Sequence, residues 1–325
     1  MVWLSLFRLV LFALAVLALA FIVDRAARPL WPEAAGPSLQ ERIDYGFAGV
    51  RARRYEVVAV GNSRIYRGLN PDRLGVAAYN FAQDDDAFNQ VYYKLRYLQD
   101  HGVPVKTIVM GVDYFQFSFL SDRRNFAYAP HFAGAYLEDF ARPPQSGLGR
   151  VMWAALHPID EAGFNAFMIR YFTRPAALLI ERALANLRKE PAAAAVRVFV
   201  KENGQYVVEA PAGPLVPVER NATRLPVQER YFEAALDWAR RNDVRLFLVM
   251  PPLHQRERAS YAPGVVEAFD RWLDDRARAY GAAYLNFSTH PAFGDADFAD
   301  VTHLTTAAAD RFSEMLGEAI RATPR

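Results

Sequence analysis

The sequence predicts an α/β protein built on a doubly wound parallel sheet. Three observations support this class: short apolar runs recur along the chain, helical patterns separate them, and several of the runs end at glycine or proline. Continuous apolar runs of strand length are typical of parallel strands that are buried on both faces. Strands that alternate with helices favour a parallel sheet with helices on both sides.

Five strands are predicted for this sheet. The first covers residues 55–60 and stops at Gly61, and the second is a shorter run at residues 77–82. The other three strands are predicted at residues 105–112, 244–250 and 283–286. Apolar residues at helical spacing predict helices at residues 86–100, 227–241, 264–280 and 306–320.

A long interval, residues 114–225, separates the third and fourth predicted strands. It contains an aromatic run at residues 114–119, two apolar helical candidates within residues 151–188, and two alternating runs around Asn203-Gly204. An Asn-Gly pair between alternating runs indicates a β-hairpin. We therefore expect a structured insertion on the core, in which the aromatic run contributes packing.

The first 24 residues predict a transmembrane anchor or a signal. Residues 2–23 are apolar except for Ser5 and Arg8, and a helix of that length covers about 33 Å, which is enough for a bilayer core of about 30 Å. The stretch after Arg8 is shorter and also fits a signal peptide, so a cleaved signal and a buried helix remain alternatives to an uncleaved anchor. Residues 25–40 are interpreted as a linker and residues 41–325 as the α/β domain.

Composition excludes several classes of function. The 325 residues carry 38 Lys plus Arg against 36 Asp plus Glu, so there is no excess of positive charge that would favour nucleic acid. The chain contains no cysteine, which excludes a disulfide framework, a Cys-ligated metal and a thiol nucleophile. Neither nucleotide-binding glycine motif nor an H-E-x-x-H motif occurs. We expect no cofactor and no bound metal.

Two short motifs contain candidate catalytic residues. The sequence GNSR at residues 61–64 follows the first strand, at the sheet edge where α/β proteins bind ligands. The sequence DVTH at residues 300–303 precedes the last helix, and its spacing allows the Asp300 carboxylate to accept the imidazole Nδ1 proton of His303. His303 Nε2 is then free to act as a general base. Taken singly, each motif is also compatible with an ordinary helix cap.

Taken together, an early strand-end serine and a late Asp-x-x-His resemble the SGNH/GDSL hydrolase superfamily. The resemblance covers residues 55–113 and 244–320, and it implies that Ser63 is the nucleophile, His303 the general base and Asp300 its orienting partner. Within the superfamily, the chain looks most like the membrane-anchored extracytoplasmic branch near the alginate O-acetylation proteins and the protein that assists D-alanylation of teichoic acid.

The chain departs from the family pattern in the oxyanion hole. Asn80 and Ala82 lie in the segment that resembles the second family block, and Ala82 offers a backbone N–H where the family has glycine. Asp113 stands where the third block has an asparagine donor, and an ionised carboxylate cannot donate a hydrogen bond. We expect Asp113 to orient a neighbouring donor such as Arg64 or to bind a sugar hydroxyl. His254, which follows the fourth strand, is a candidate substrate contact.

The resemblance implies a serine-dependent esterase or O-acyltransferase, with acetyl as the acyl group. The expected substrate is a polysaccharide or other polymer of the cell envelope, and the expected partners are the membrane, through the N-terminal helix, and a membrane acyl-donor protein. The main domain would lie outside the cytoplasmic membrane. The alternative is a noncatalytic polymer-binding or assembly protein that keeps the same fold, and the aspartate at position 113 favours it.

Overall fold

A parallel five-stranded sheet lies at the centre of the computed structural model, which describes residues 37, 39–120, 127–128, 131–132, 197–209, 215 and 223–324. These residues belong to one compact unit formed by residues 37–141 and 195–325. The predicted anchor at residues 2–23 and the helical candidates within residues 151–188 lie outside the described residues. In the described ranges, no helix is both long and apolar enough to cross a membrane.

The strand order of the central sheet confirms the predicted doubly wound parallel class. In chain order the strands are β1 (Val57–Val60), β2 (Ala78–Asn80), β3 (Thr107–Gly111), β4 (Arg197–Val200), β5 (Tyr206–Glu209), β6 (Arg245–Met250) and β7 (Ala283–Asn286). The sheet has the order β2-β1-β3-β6-β7, with every neighbouring pair parallel. The order changes direction between β1 and β3, and sheets of this kind bind ligands beyond the carboxyl ends of the strands at such a point.

Helices cover both faces of this sheet. They are α1 (Leu39–Ala52), α2 (Ser63–Gly68), α3 (Phe88–Asp100), α4 (Pro226–Arg241), α5 (Gln255–Arg258), α6 (Val265–Tyr280) and α7 (Thr306–Ala322). Side chains alternate across a strand, so Val58 and Val60 of β1 pack with α1, α3, α4 and α6, whereas Val57 and Ala59 pack with α2 and α7. The apolar runs of the three central strands, β1, β3 and β6, are therefore buried on both faces, as the sequence predicted, whereas edge strand β7 is only partly buried.

Local sequence explains where the long helices begin and end. Pro226 stands in the first turn of α4, where its missing N–H costs nothing, and Thr305 caps α7 by accepting a hydrogen bond from Ala308 N–H at 3.3 Å. α6 ends at Gly281, whose φ of +70° allows the chain to leave the helix. The aromatic run after β3 forms a short 3₁₀ helix (Tyr114–Phe117) that is packed in the core, as expected.

The predicted hairpin is present and packs on the edge of the sheet. Strands β4 and β5 pair antiparallel, and the turn between them contains Asn203 and Gly204. The Asn203 carbonyl accepts a hydrogen bond from Asn80 N–H at 2.9 Å, at the end of edge strand β2. Tyr206 of β5 stacks on Tyr66 of α2, with ring centroids 5.1 Å apart. The hairpin thus covers the end of β2 and packs against α2, the helix that begins at Ser63.

Replacing Gly204 by alanine is expected to destabilise the domain. Gly204 has a φ of +87°, and an added Cβ would lie 2.2 Å from the Asn80 carbonyl oxygen. Backbone strain and this overlap together should cost about 2 kcal/mol or more, which lowers Tm by roughly 4 °C or more in a domain of this size. Thermal unfolding followed by circular dichroism measures the change.

Gly102 provides the matched control for this substitution. It also has a positive φ, of +61°, but no described atom lies within 4 Å of the Cβ that alanine would add. Gly102→Ala therefore reports the backbone cost alone, about 1 kcal/mol. Equal Tm losses for the two variants would show that the hairpin does not press against β2.

Candidate active site

Ser63 lies on a tight turn between β1 and α2. Gly61 in this turn has a φ of +144°, and a Cβ there would lie 3.2 Å from backbone atoms of Gly111, so only glycine allows this approach. Asn62 caps α2, because its side-chain oxygen accepts a hydrogen bond from Arg64 N–H at 3.0 Å. Asn62 thus fills the capping role, which leaves the Ser63 hydroxyl available for another partner.

The structure brings the two sequence motifs together in one hydrogen-bonded row. Ser63 Oγ lies 2.9 Å from His303 Nε2, and His303 Nδ1 lies 2.8 Å from Asp300 Oδ2. Because Nδ1 faces a carboxylate, it carries the ring proton, and Nε2 accepts the proton of the serine hydroxyl. This is the geometry of a nucleophile with an oriented general base.

The loop that carries Asp300 and His303 is held by backbone hydrogen bonds. Phe298 and Leu304 form an antiparallel bridge at its base. Asp300 Oδ1 accepts the N–H groups of Thr302 at 2.7 Å and His303 at 2.9 Å. The carboxylate therefore organises its own loop while its other oxygen faces the imidazole.

The surroundings of His303 favour its neutral form. Burial lowers the pKa of His303 below its usual value, the Asp300 carboxylate opposes that shift, and the positive charges of Arg67 and Arg64 add to it. Partial burial alone would raise the pKa of Asp300, but hydrogen bonds from the His303 ring and from backbone N–H groups lower it well below its usual range. At neutral pH the pair is thus a neutral imidazole beside an ionised carboxylate.

The backbone N–H of Ser63 lies in the first turn of α2, where N–H groups have no partner within the helix. In the described part of the chain, no group accepts a hydrogen bond from Ser63 N–H. The N–H of Ala82, the donor expected from the sequence, donates to Asn80 Oδ1 at 3.1 Å. The Asn80 amide in turn donates to the carbonyls of Ile65 and Leu69 at 2.8 and 2.9 Å, so this side chain ties α2 to the end of β2.

Asp113 forms an ion pair with Arg64, one of the two roles expected from the sequence. Its other oxygen accepts the Phe115 N–H at 3.4 Å and caps the 3₁₀ helix that follows β3. The Asp113 side chain is only 1% exposed, so a sugar hydroxyl has no access to it in this structure. The alternative role as a sugar contact therefore does not fit this conformation.

Glu257 is a buried charged residue that the sequence analysis did not single out. It lies on α5, is fully buried, and pairs with Arg64 through Oε1. The two residues are 193 positions apart in the chain, and nothing in the local sequence of α5 indicates the contact.

His254, the candidate substrate contact, is buried beside α5. Its Nδ1 accepts the Arg256 N–H at 3.1 Å and so caps that helix. Its Nε2 lies 3.1 Å from Asp295 Oδ1, and its ring packs edge-on against Phe298. Because the side chain has no exposed surface, it is not accessible to a substrate in this structure.

The acidic run at residues 84–86 is used in ion pairs. Asp84 pairs with Arg67 at 3.1 Å and with Arg42 at 3.4 Å. Asp86 pairs with the buried Lys94 at 2.6 Å. Across the described ranges, no group of three His, Asp or Glu side chains could hold a metal ion.

Arg67 is a second residue near the site that the sequence analysis did not single out, and its positive charge lowers the pKa of His303. It lies one helical turn after Ser63, and residues at that spacing share one face of a helix. Its side chain is 25% exposed, and its guanidinium lies 5.5 Å from the centroid of the Tyr206 ring. In the sequence, only its spacing of four residues from Ser63 could have indicated that Arg67 lies near the site.

Comparisons with known proteins complete this description. No protein-family model matches the chain, and no curated protein matches it. Among solved structures, the chain is similar to a proposed platelet activating factor from Streptococcus pneumonia, with 12% identity over 87% of this chain and 92% of that chain, at a TM-score of 0.44. It is also similar to a proposed lipolytic protein of the G-D-S-L family from Desulfitobacterium hafniense, with 9% identity over 81% and 97% of the two chains, at a TM-score of 0.39. A third similar structure is a proposed acylhydrolase from Bacteroides fragilis. It has 10% identity over 89% of this chain and 100% of that chain, at a TM-score of 0.42.

Proposed function

We propose that this protein is a serine-dependent esterase or O-acyltransferase of the SGNH/GDSL type. The observation that carries the proposal is the continuous row Ser63–His303–Asp300, with contacts of 2.9 and 2.8 Å between groups of matched hydrogen-bonding roles. The row stands at the carboxyl edge of the sheet, beside the change in strand order, where α/β folds bind their ligands.

The first half of the reaction transfers the acyl group to the enzyme. His303 Nε2 takes the hydroxyl proton of Ser63 while Oγ attacks the carbonyl carbon of an ester. The carbonyl oxygen becomes an oxyanion that the Ser63 N–H can stabilise, and a donor of this kind contributes about 3 kcal/mol in the transition state. The oxyanion then collapses, the C–O bond to the leaving alcohol breaks, and the imidazolium returns the proton to that alcohol.

The second half releases the acyl group. A water molecule or a sugar hydroxyl loses its proton to His303 and attacks the acyl carbon, after which Ser63 leaves as the free hydroxyl. Water as the acceptor makes the protein an esterase, and a sugar makes it a transferase. The choice depends on how well the bound acceptor excludes water from the acyl-enzyme.

For the substrate, we propose acetyl esters on a polysaccharide of the cell envelope or on an exported polysaccharide. The support is the resemblance of the motifs at residues 61–64 and 300–303 to the envelope-acting branch of the superfamily. The apolar run at residues 2–23 supports attachment to the cytoplasmic membrane with the α/β domain outside the cytoplasm. A membrane protein that supplies activated acyl groups is the partner that the transferase would require.

Labelling with a fluorophosphonate probe tests this proposal. The probe forms a covalent bond with a serine that a neighbouring base activates, so full-length wild-type protein should be labelled. Ser63→Ala and His303→Ala should both lose the label, because the first removes the nucleophile and the second removes the base.

Absence of labelling in a folded wild-type protein would contradict the enzymatic proposal and would favour the noncatalytic polymer-binding alternative. Labelling that survives in Ser63→Ala would place the reactive group elsewhere. With labelling established, release of acetate from an acetylated polysaccharide separates the hydrolase from a transferase that needs a sugar acceptor.

A further inference from the structure

The residue after the nucleophile, Arg64, is a charged side chain buried beneath the active site. Its guanidinium is 1% exposed, although arginine is almost never fully buried unless it is paired. Burial by itself would lower the pKa of Arg64, but the neighbouring Asp113 and Glu257 carboxylates raise it above its usual value. The charge is therefore present at every pH at which the protein is folded.

The guanidinium joins separate segments of the active-site edge. Its Nε pairs with Asp113, which follows β3, and one terminal nitrogen pairs with Glu257 on α5, which follows β6. The other terminal nitrogen donates to the Thr302 carbonyl at 3.1 Å. Thr302 immediately precedes His303, so this bond connects the residue after the nucleophile with the residue before the base.

Only arginine can make these three contacts at once. Its planar fork directs five N–H groups along fixed directions, whereas lysine carries a compact charge with three donors at a single nitrogen. The carboxylates of Asp113 and Glu257 lie on separate segments and contact the Arg64 guanidinium at different nitrogens. Its other terminal nitrogen is thereby directed toward the loop that carries His303.

We propose that Arg64 is a positioning residue that holds the His303 loop against Ser63, and that Asp113 and Glu257 serve to orient its guanidinium. The role of Asp113 follows from this: it anchors the arginine that aligns the base, and it does not donate to the oxyanion. This inference rests on the proposed function, because alignment of His303 matters only if His303 acts on Ser63. A displacement of about 1 Å in such an alignment can cost roughly 100-fold in rate.

The first test compares Arg64→Lys with wild type on p-nitrophenyl acetate. Lysine keeps the positive charge beside the two carboxylates but cannot also hold the Thr302 carbonyl. We expect kcat to fall about 10-fold to 100-fold while KM changes less than about 2-fold, since small esters make no contact with this buried residue. Arg73→Lys is the matched control, because Arg73 also faces two carboxylates, Asp310 at 3.3 Å and Glu314 at 3.4 Å, on the protein surface.

The second test uses Asp113→Asn, which keeps the size of the side chain and restores the residue type of the family pattern. If Asp113 anchors Arg64, the neutral amide weakens that anchor and kcat falls. If the side chain at position 113 instead acts by donating a hydrogen bond to the oxyanion, the asparagine variant should have a higher kcat than wild type. That result would overturn the inference. This variant also serves if Arg64→Lys does not fold.

A proton NMR measurement separates this inference from the proposed function. The Nδ1 proton of His303, shared with Asp300, should give a low-field resonance in wild type, and this resonance should broaden or vanish in Arg64→Lys. The signal does not require turnover, so it reports loop position even if the wild-type protein fails to react with a fluorophosphonate. If folded Arg64→Lys shows an unchanged resonance and an unchanged kcat, the positioning role is refuted. If instead kcat, substrate affinity and Tm all fall together, Arg64 has a structural role and not a positioning role.

Discussion

Ser63→Ala is expected to reduce ester hydrolysis by roughly four orders of magnitude or more. In the proposed mechanism, the substitution removes the atom that forms the acyl-enzyme, and in enzymes with this kind of catalytic row such a loss leaves only the contribution of substrate binding and oxyanion stabilisation. Ser63 Oγ lies 2.9 Å from His303 Nε2, and its side chain packs in a turn that alanine can also adopt. Stability should therefore change little.

The measurement is kcat/KM for p-nitrophenyl acetate, accompanied by Tm for each protein. Ser118→Ala is the matched control, because the Ser118 hydroxyl donates to the Phe115 carbonyl at 2.7 Å after the 3₁₀ helix and, among the described residues, has no hydrogen bond with Ser63 or His303. It should retain wild-type activity. Ser63→Ala protein that is folded and still hydrolyses the ester at more than a tenth of the wild-type rate would exclude Ser63 as the nucleophile.

Asp300→Asn is expected to lower kcat roughly 10⁴-fold. The substituted side chain presents an amide that can donate toward His303 Nδ1, and this favours the imidazole tautomer with its proton on Nε2, which cannot accept the hydroxyl proton of Ser63. The Asp300 carboxylate also raises the pKa of His303 against the opposing effect of burial. Without that charge the pKa of His303 falls further, so the acid limb of the kcat/KM profile should move to lower pH while its plateau drops.

A pH profile of kcat/KM tests both parts of this prediction. Asp274→Asn is the control, since Asp274 pairs with Arg278 on the exposed face of α6 and lies in another part of the fold. A shift of the acid limb to higher pH would contradict the assigned electrostatic role of Asp300. Retention of full kcat would show that its backbone contacts to Thr302 and His303 matter more than its contact with the ring.

The central sheet could be predicted because its determinants are local. A buried parallel strand is a continuous apolar run, and β1, β3 and β6 each lie inside the residues predicted for them. The hairpin could be predicted equally well from the sequence, since Asn203 and Gly204 mark its turn. The helices predicted at residues 227–241 and 264–280 from apolar spacing are present, and Pro226 and Gly281 mark an end of each through backbone preferences that need no distant partner.

The candidate catalytic row was predictable for a different reason. Asp300 and His303 are three residues apart, so the sequence itself keeps them in contact. Ser63 lies 240 residues before His303, and no local pattern connects the two. Their pairing was predicted from the resemblance of the two motifs to the SGNH/GDSL hydrolases.

The partners of the remaining site residues were decided by the tertiary structure. The sequence suggested that Asp113 orients Arg64, but it did not indicate that Glu257 completes the ion pairs or that the guanidinium reaches the Thr302 carbonyl across 238 residues. It also left Ala82 as an oxyanion donor, whereas folding directs that N–H to Asn80.

The amino-acid sequence by itself determined the five strands of the sheet, the four helices α3, α4, α6 and α7, the hairpin and the two motifs that carry Ser63, Asp300 and His303, because backbone preference and apolar periodicity are encoded within a few neighbouring residues. Helix α1 (Leu39–Ala52) and the short helices α2 and α5 were not predicted. The tertiary structure decided which buried charges neutralise one another and which partner each N–H group near Ser63 has, such as the Asn80 side chain for Ala82. The physical reason is that a buried charge or donor must be satisfied by whichever group the fold brings near it, and that group can come from any part of the chain.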